Sequence, residues 1–210
     1  MSNNYQNEEK DWSDFYKAIK DRPPRETLLE AMTFFDKDED PGKQYYAMDI
    51  GCGTGIDTFE LLRRGWKVFA TDKEQKAIDI IREKITDDMK ENLETAAVAF
   101  HELSFKSSDL INAGMSLPFC NPDKFDKVWE NIVNAIKING RFSGNFFGEK
   151  DEWAIYDDMT FHTKDKLKSM FAKFEIEFFH ERDEDGETAT GVKKHWHVFS
   201  VVARKIRNQR

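Results

Sequence analysis

Three glycines at alternate positions, Gly51, Gly53 and Gly55, follow an acid at Asp49, and a further acid, Asp72, closes the next apolar stretch. Glycine at such sites lets the backbone turn sharply and lets a ligand approach the main chain without meeting side chains. Tyr45-Tyr46-Ala47-Met48-Asp49-Ile50 ahead of the turn is mostly apolar, as a central parallel strand must be. Thr58 to Arg64 behind it has helical spacing, with Phe59, Leu61 and Leu62 turned inward. The order strand, glycine turn, helix marks a ligand-binding loop. A dinucleotide fingerprint would require glycine at position 56, where the chain has Ile56. Asp72 lies about 20 residues on, where a ribose-binding carboxylate belongs. It could accept bonds from both ribose hydroxyls, each contributing about 1.5–3 kcal/mol. It could equally cap a helix beginning at Lys73.

The pattern Asp49-x-Gly51-x-Gly53-x-Gly55 resembles motif I of the class I S-adenosylmethionine-dependent methyltransferases, in which this loop wraps the methionine end of the cofactor. The resemblance extends from Gln44 onward. It implies an α/β fold: a Rossmann-like, doubly wound, mostly parallel seven-stranded sheet, an antiparallel C-terminal hairpin, and helices on both faces. It implies S-adenosylmethionine as cofactor and S-adenosylhomocysteine as product. The cofactor-binding residues it implies are Asp49, Gly51, Cys52, Gly53, Thr54, Gly55, Asp57, Asp72 and Lys73, with Glu102, Leu103, Asn112 and Ala113 further on. Glu102 would meet the adenine amine, with Phe100 and Leu103 alongside; a plain surface carboxylate is the alternative. Amino-group and nucleobase methyltransferases often carry Asn/Asp-Pro-Pro-Tyr/Phe after the fourth strand. This chain has Asn112-Ala113-Gly114-Met115, which does not support that assignment. The outline, one domain with a short N-terminal cap, is similar to small-molecule methyltransferases of the tellurite-resistance and thiopurine type.

Other elements must position these residues. Trp12, Phe15, Tyr16 and Ile19 mark a short amphipathic helix, broken by Asp21-Arg22-Pro23-Pro24, with Pro24 expected in the first turn of the next helix. Residues 1–43 are read as a helical cap or lid and 44–210 as the main domain. Ala77 to Ile85 is an amphipathic helix, Thr95 to His101 the third strand and Asp109 to Ala113 the fourth. Ligands bind beyond the carboxyl ends of such strands, near the reversal of strand order, so Asn112 to Phe119 should line the site. A helix capped by Asn121 or Asp123 is expected to end at Asn139-Gly140, with Arg141 to Gly148 as the fifth strand. Glu149 to Thr163 reads as an aromatic-rich loop, Lys164 to Ala172 as a helix capped by Thr163. Phe174 to Phe179 and His195 to Ala203 form a closing hairpin around a polar loop from Asp183 to Gly191. His195 and His197 share a strand face, but no acid or cysteine at companion spacing makes them a metal pair, and no metal is expected.

Bulk properties narrow the function. With 210 residues, 39% hydrophobic and 34% charged, the chain can bury one core and is not of disordered composition. A net charge of -8 argues against sequence-independent nucleic-acid binding. No apolar run approaches the ~20 residues of a membrane span, and two cysteines make no disulfide framework. A cytoplasmic protein, monomeric or homodimeric, without membrane or nucleic-acid partners, is expected.

The expected function is in-line methyl transfer to a small molecule. Trp12, Tyr16, Arg22, Arg25, Phe119, Phe147, Trp153 and His162 are the candidate substrate-binding residues. Two guanidinium groups on a proline-stiffened turn could hold a carboxylate or phosphate. Because the sulfonium carries the driving force, alignment and exclusion of water are the main demands on the protein. An acceptor of high pKa would need a base, for which Tyr16 and His162, with Glu149 and Asp151 at the rim, are candidates. A macromolecular (protein or RNA) methyltransferase and a cofactor-binding scaffold without catalysis are the alternatives.

Overall fold

Along the first strand, Ala47 points to one face of a sheet while Met48 and Ile50 point to the other, and all three are fully buried. Leu110 and Ile111 divide in the same way, as do Val202 and its neighbours Val201 and Ala203. A sheet buried on both faces needs helices on both, and the chain supplies them. The computed structural model describes residues 12–38, 40 and 42–207.

In chain order the elements are α1 (Ser13–Ala18), α2 (Glu26–Lys37), β1 (Tyr46–Ile50), α3 (Ile56–Arg63), β2 (Lys67–Asp72), α4 (Gln75–Lys84), α5 (Asp87–Lys90), β3 (Leu93–Ala97) and β4 (Ser108–Ala113). After a short 3-10 turn come α6 (Pro122–Ala135), β5 (Ile136–Gly148), β6 (Phe161–His162), α7 (Lys164–Met170), β7 (Phe174–Glu187) and β8 (Lys193–Lys205). The sheet order is β3-β2-β1-β4-β5-β8-β7, with β6 beside β5. β8 runs antiparallel to β5 and β7, and the remaining pairs are parallel. Strand order reverses between β1 and β4, so the switch point lies above their carboxyl ends.

α6 packs Phe125, Val128, Trp129 and Ile132 against Phe142 and Phe146 on one face. On the other, α2 lays Leu28, Ala31, Met32 and Phe35 with Leu61, Trp66 and Val202. α2 is therefore part of the main core. Arg141 of β5, 1% exposed, pins the end of α2: its guanidinium forks onto Glu177 at 2.6 and 2.9 Å, reaches Asp38 at 2.6 Å and lies over Phe35.

Several boundaries differ from the sequence expectation. Pro24 precedes α2 rather than entering its first turn, because Arg25 is the N-cap in extended conformation. β3 starts at Leu93 and stops at Ala97, its length fixed by pairing with Val68 to Asp72. α6 ends at Ala135, not at Asn139-Gly140: Ile136 already pairs with Ser108, and Asn139, at φ +65°, forms a bulge within β5. The hairpin is longer than expected, with Asp183 to Glu187 paired to His197 to Lys193, leaving only residues 188–192 as its loop. Asn121 and Thr163 cap α6 and α7 through their side chains.

Candidate active site

A cavity of about 1090 Å3 opens above the carboxyl ends of β1, β2 and β4. Its first wall is the turn after β1. Gly51, Gly53 and Gly55 all adopt positive φ, +67°, +53° and +83°. At Gly51 a Cβ would lie 2.3 Å from Ser116 Cβ, so close approach of the two loops adds to the conformational demand. At Gly53 a Cβ would meet no protein atom within 4 Å, and this glycine keeps an open face beside the cavity.

A buried polar network fixes the floor. Asn112, fully buried on β4, donates through Nδ2 to Asp49 Oδ1 and to Asp57 Oδ2, both at 2.9 Å, while its Oδ1 accepts from Ser143 Oγ at 2.7 Å. Asp49 also accepts from Thr58 at 2.6 Å, locking α3 to β1. Asp57 accepts from the backbone N–H of Arg25 at 2.9 Å, which joins the start of α2 to the same network. Burial raises the Asp49 carboxyl to about 7, with the neighbouring Asp57 adding to the effect. Asp57 is raised as well, chiefly by burial.

Asp72 stands at the edge of the cavity at the end of β2. One oxygen accepts from Gly53 N–H at 2.9 Å and the other from Glu74 N–H at 2.9 Å. It thus holds the glycine loop and also supports the turn into α4, which begins at Gln75 rather than Lys73. Thr54 contributes a buried hydroxyl with no hydrogen bond among the described residues, at the cavity wall.

The opposite wall is aromatic and basic. Trp12, Tyr16, Arg22 and Arg25 reach it from the N-terminal helices, Phe119 from the loop after β4, Phe147 from β5 and Trp153 from the segment beyond. Trp12 meets Phe119 edge-on at 5.7 Å, and Trp153 meets Trp196 likewise at 5.5 Å. Behind them Lys194, 4% exposed, is ion-paired with buried Asp151 and lies over the Trp153 and Trp196 rings at 3.7 and 3.9 Å.

Of the expected cofactor residues, Asp49, Gly51, Cys52, Gly53, Thr54, Asp57, Asp72 and Lys73 line the cavity. The others need correction. Gly55 faces α4, where a Cβ would meet Ile81 at 2.7 Å, so it serves helix packing. Asn112 and Ala113 are wholly buried beneath the cavity. Glu102 is exposed and Leu103 belongs to the core, because β3 ends early and Val98 to His101 form the wall instead.

His162 is corrected too. It is buried between Phe125 and Phe146, away from the cavity, and burial lowers its imidazole to about 4. Asp151 is consumed by Lys194 and by the N–H groups of Trp153 and His197. Glu149 is exposed outside the cavity. Tyr16 lines it, but burial, with Asp72 and Glu74 nearby, raises its phenol far up, leaving it a donor rather than a base. His195 and His197 are held by acids of β7: Asp183 and Asp185 for the first, Glu181 for the second.

Sequence reasoning missed Asn145, His180, Arg182, Trp196 and Ser200, all of which line the cavity. His180 and Arg182 alternate on β7, a period-2 signal hidden where the strand was stopped at Phe179.

Comparison with known proteins agrees with this geometry. Residues 47–140 match a family model described as a methyltransferase domain. The cypemycin N-terminal methyltransferase of a Streptomyces species is 28% identical over 96 residues, 44% of this chain and 38% of that protein. The chain thus spans well under two thirds of this curated relative. Among solved structures, TehB from Haemophilus influenzae has a TM-score of 0.72 at 16% identity, covering 91% of this chain and 65% of that one. The N-methyltransferase NodS from Bradyrhizobium japonicum WM9, in complex with S-adenosyl-L-homocysteine, has a TM-score of 0.69 at 15% identity, covering 98% and 100%. The fold is that of the methyltransferases TehB and NodS, and the segment that matches the methyltransferase domain carries the glycine loop and Asp72.

Proposed function

We propose that the chain transfers a methyl group from S-adenosylmethionine to a small-molecule acceptor. The observation that carries this is the continuous cavity whose lining joins the glycine loop, Asp72 and the buried, unpartnered Thr54 hydroxyl to an aromatic and basic wall. The residues present fit the cofactor. Gly53 leaves room for close approach to the main chain, Thr54 Oγ1 awaits a polar partner, and Asp72 presents a carboxylate beside the loop. Loop residues 51–54 would hold the methionine end, Asp72 the ribose, and Val98 to Phe100 the adenine. When bound, the cofactor would supply an activated methyl on sulfur.

The protein's own part is alignment. Asn112 fixes Asp49 and Asp57, which fix the glycine loop and the start of α2, so both walls are referenced to one buried side chain. Aromatic residues from four segments exclude water from the acceptor, and preorganised positioning of this kind can lower a barrier by about 7–11 kcal/mol. Tyr16, kept protonated, is suited to orient an acceptor by donating a hydrogen bond. We take the cytoplasm as the compartment, since Cys52 and Cys120 are free thiols and suit a reducing environment.

Calorimetric titration with S-adenosylmethionine and S-adenosylhomocysteine, with NAD as control, tests the proposal. Binding of the first two at about micromolar Kd, with none of NAD, is expected. A folded sample that binds neither sulfur compound would overturn it.

A further inference from the structure

Resting on the methyl-transfer reading, we infer that the acceptor has a planar apolar body carrying a carboxylate or phosphate, with that anionic group held between Arg25 and Arg182. The two arginines come from separate elements that both line the cavity. Arg25 is the N-cap residue of α2, its backbone fixed by the bond to Asp57. Arg182 lies on β7 opposite Val198, with its guanidinium 5.0 Å from the centre of the Trp196 ring. Arg22 lines the same cavity three residues before Arg25.

Arg182 is loosely matched within this wall. Arg182 Nε is buried with no hydrogen bond among the described residues, and Glu184 approaches it only to 4.0 Å. Lys194, by contrast, is already matched to Asp151 and enclosed by aromatic rings. Burial lowers the Arg25 pKa; Asp57 opposes this, and Arg22 and Arg182 add smaller effects in the direction of burial. Neighbouring guanidiniums are stabilised by a shared anion, and their planar forks match carboxylate or phosphate geometry. Phe119 and Trp153, backed by Phe147 and Trp196, provide flat apolar surfaces for the body of the ligand.

The test uses 2-naphthoate and its neutral counterpart 2-naphthamide, titrated by quenching of tryptophan fluorescence with and without saturating S-adenosylhomocysteine. Naphthoate is expected to bind about tenfold or more tighter than the amide. Arg182→Met should erase that preference, and Arg182→Lys should keep part of it. S-adenosylhomocysteine affinity should be unchanged in both variants, which also verifies their folding. Equal binding of the two probes, binding of neither, or an undiminished preference in Arg182→Met would overturn the inference. If the wild type fails to bind S-adenosylhomocysteine, methyl transfer is refuted separately, and the probe ratio in cofactor-free protein still decides the anion site.

Discussion

Replacing Asp72 by alanine separates the proposed site from a merely well-formed loop. In the free protein its carboxylate accepts from Gly53 N–H and Glu74 N–H, both at 2.9 Å. In the proposed complex it would also accept from the two ribose hydroxyls. Hydrogen bonds to a charged acceptor contribute about 1.5–3 kcal/mol each, so losing two weakens binding by about 3–6 kcal/mol, or about 10²–10⁴ in Kd. The freed Gly53 amide, lying beside the cavity, can turn to water, so the cost to folding should be smaller, about 1–2 kcal/mol. Asp72→Asn keeps the shape and one acceptor oxygen but not the charge, and should fall between wild type and alanine. Calorimetry with S-adenosylhomocysteine reads the binding, and urea denaturation reads the fold. If folded Asp72→Ala binds within about threefold of wild type, a difference well under the ~1.5 kcal/mol of one charged bond, the ribose is not at the end of β2 and the placement of the cofactor is refuted.

Three further outcomes follow from the polar core. Glu177→Ala with Asp38→Ala strands the buried Arg141 guanidinium and should destabilise the fold by about 3–5 kcal/mol in urea denaturation, whereas Arg141→Met, which removes the charge as well, should cost less. Burial raises the folded Asp49 carboxyl to about 7, above the ~3.9 of an unfolded aspartate. The stability held by its proton is therefore complete below about pH 4 and is lost as pH rises towards 7; denaturation midpoints across that window should show less decline in Asp49→Asn. Gly148→Ala would drive a Cβ to 2.0 Å from the His197 ring, itself bonded to Lys150 N–H and Glu181, and should cost about 1–3 kcal/mol by the same denaturation assay.

Much of the fold was legible because its signals are local. The glycine turn, the acid at the end of β2 and the inward stripe of α6 each lie within one short stretch. Side-chain partnerships between distant segments were not legible. His162 has the type and position of a catalytic residue, and only the packing of Phe125 and Phe146 around it shows that it is core. Asn112 sits at a position that lines such sites, yet two buried carboxylates take its amide. Asp183 to Glu187 is nearly all charged and reads as a loop, but it pairs with β8 along its whole length. Edge strands with solvent on one side tolerate such charge, and that tolerance concealed Arg182.

The cavity is divided by sequence as well as by chemistry. The segment that matches the methyltransferase domain, residues 47–140, contains the glycine loop, Asp72, Val98 to His101 and the loop after β4. Trp12, Arg22, Arg25, Phe147, Trp153, Arg182 and Trp196 all lie outside it. The match stops short of the second group, so the substrates of related proteins do not carry over with the fold. The two halves are nonetheless mechanically joined. Asp57 belongs to the matched segment and holds Arg25 outside it, and Asn145 joins them again, accepting from Met115 N–H on one side and donating to Ser200 on the other. Under the proposed function, substitutions in this outer wall should therefore alter the choice of acceptor before they disturb the loop that would bind the cofactor, because two fixed polar links hold the wall in place.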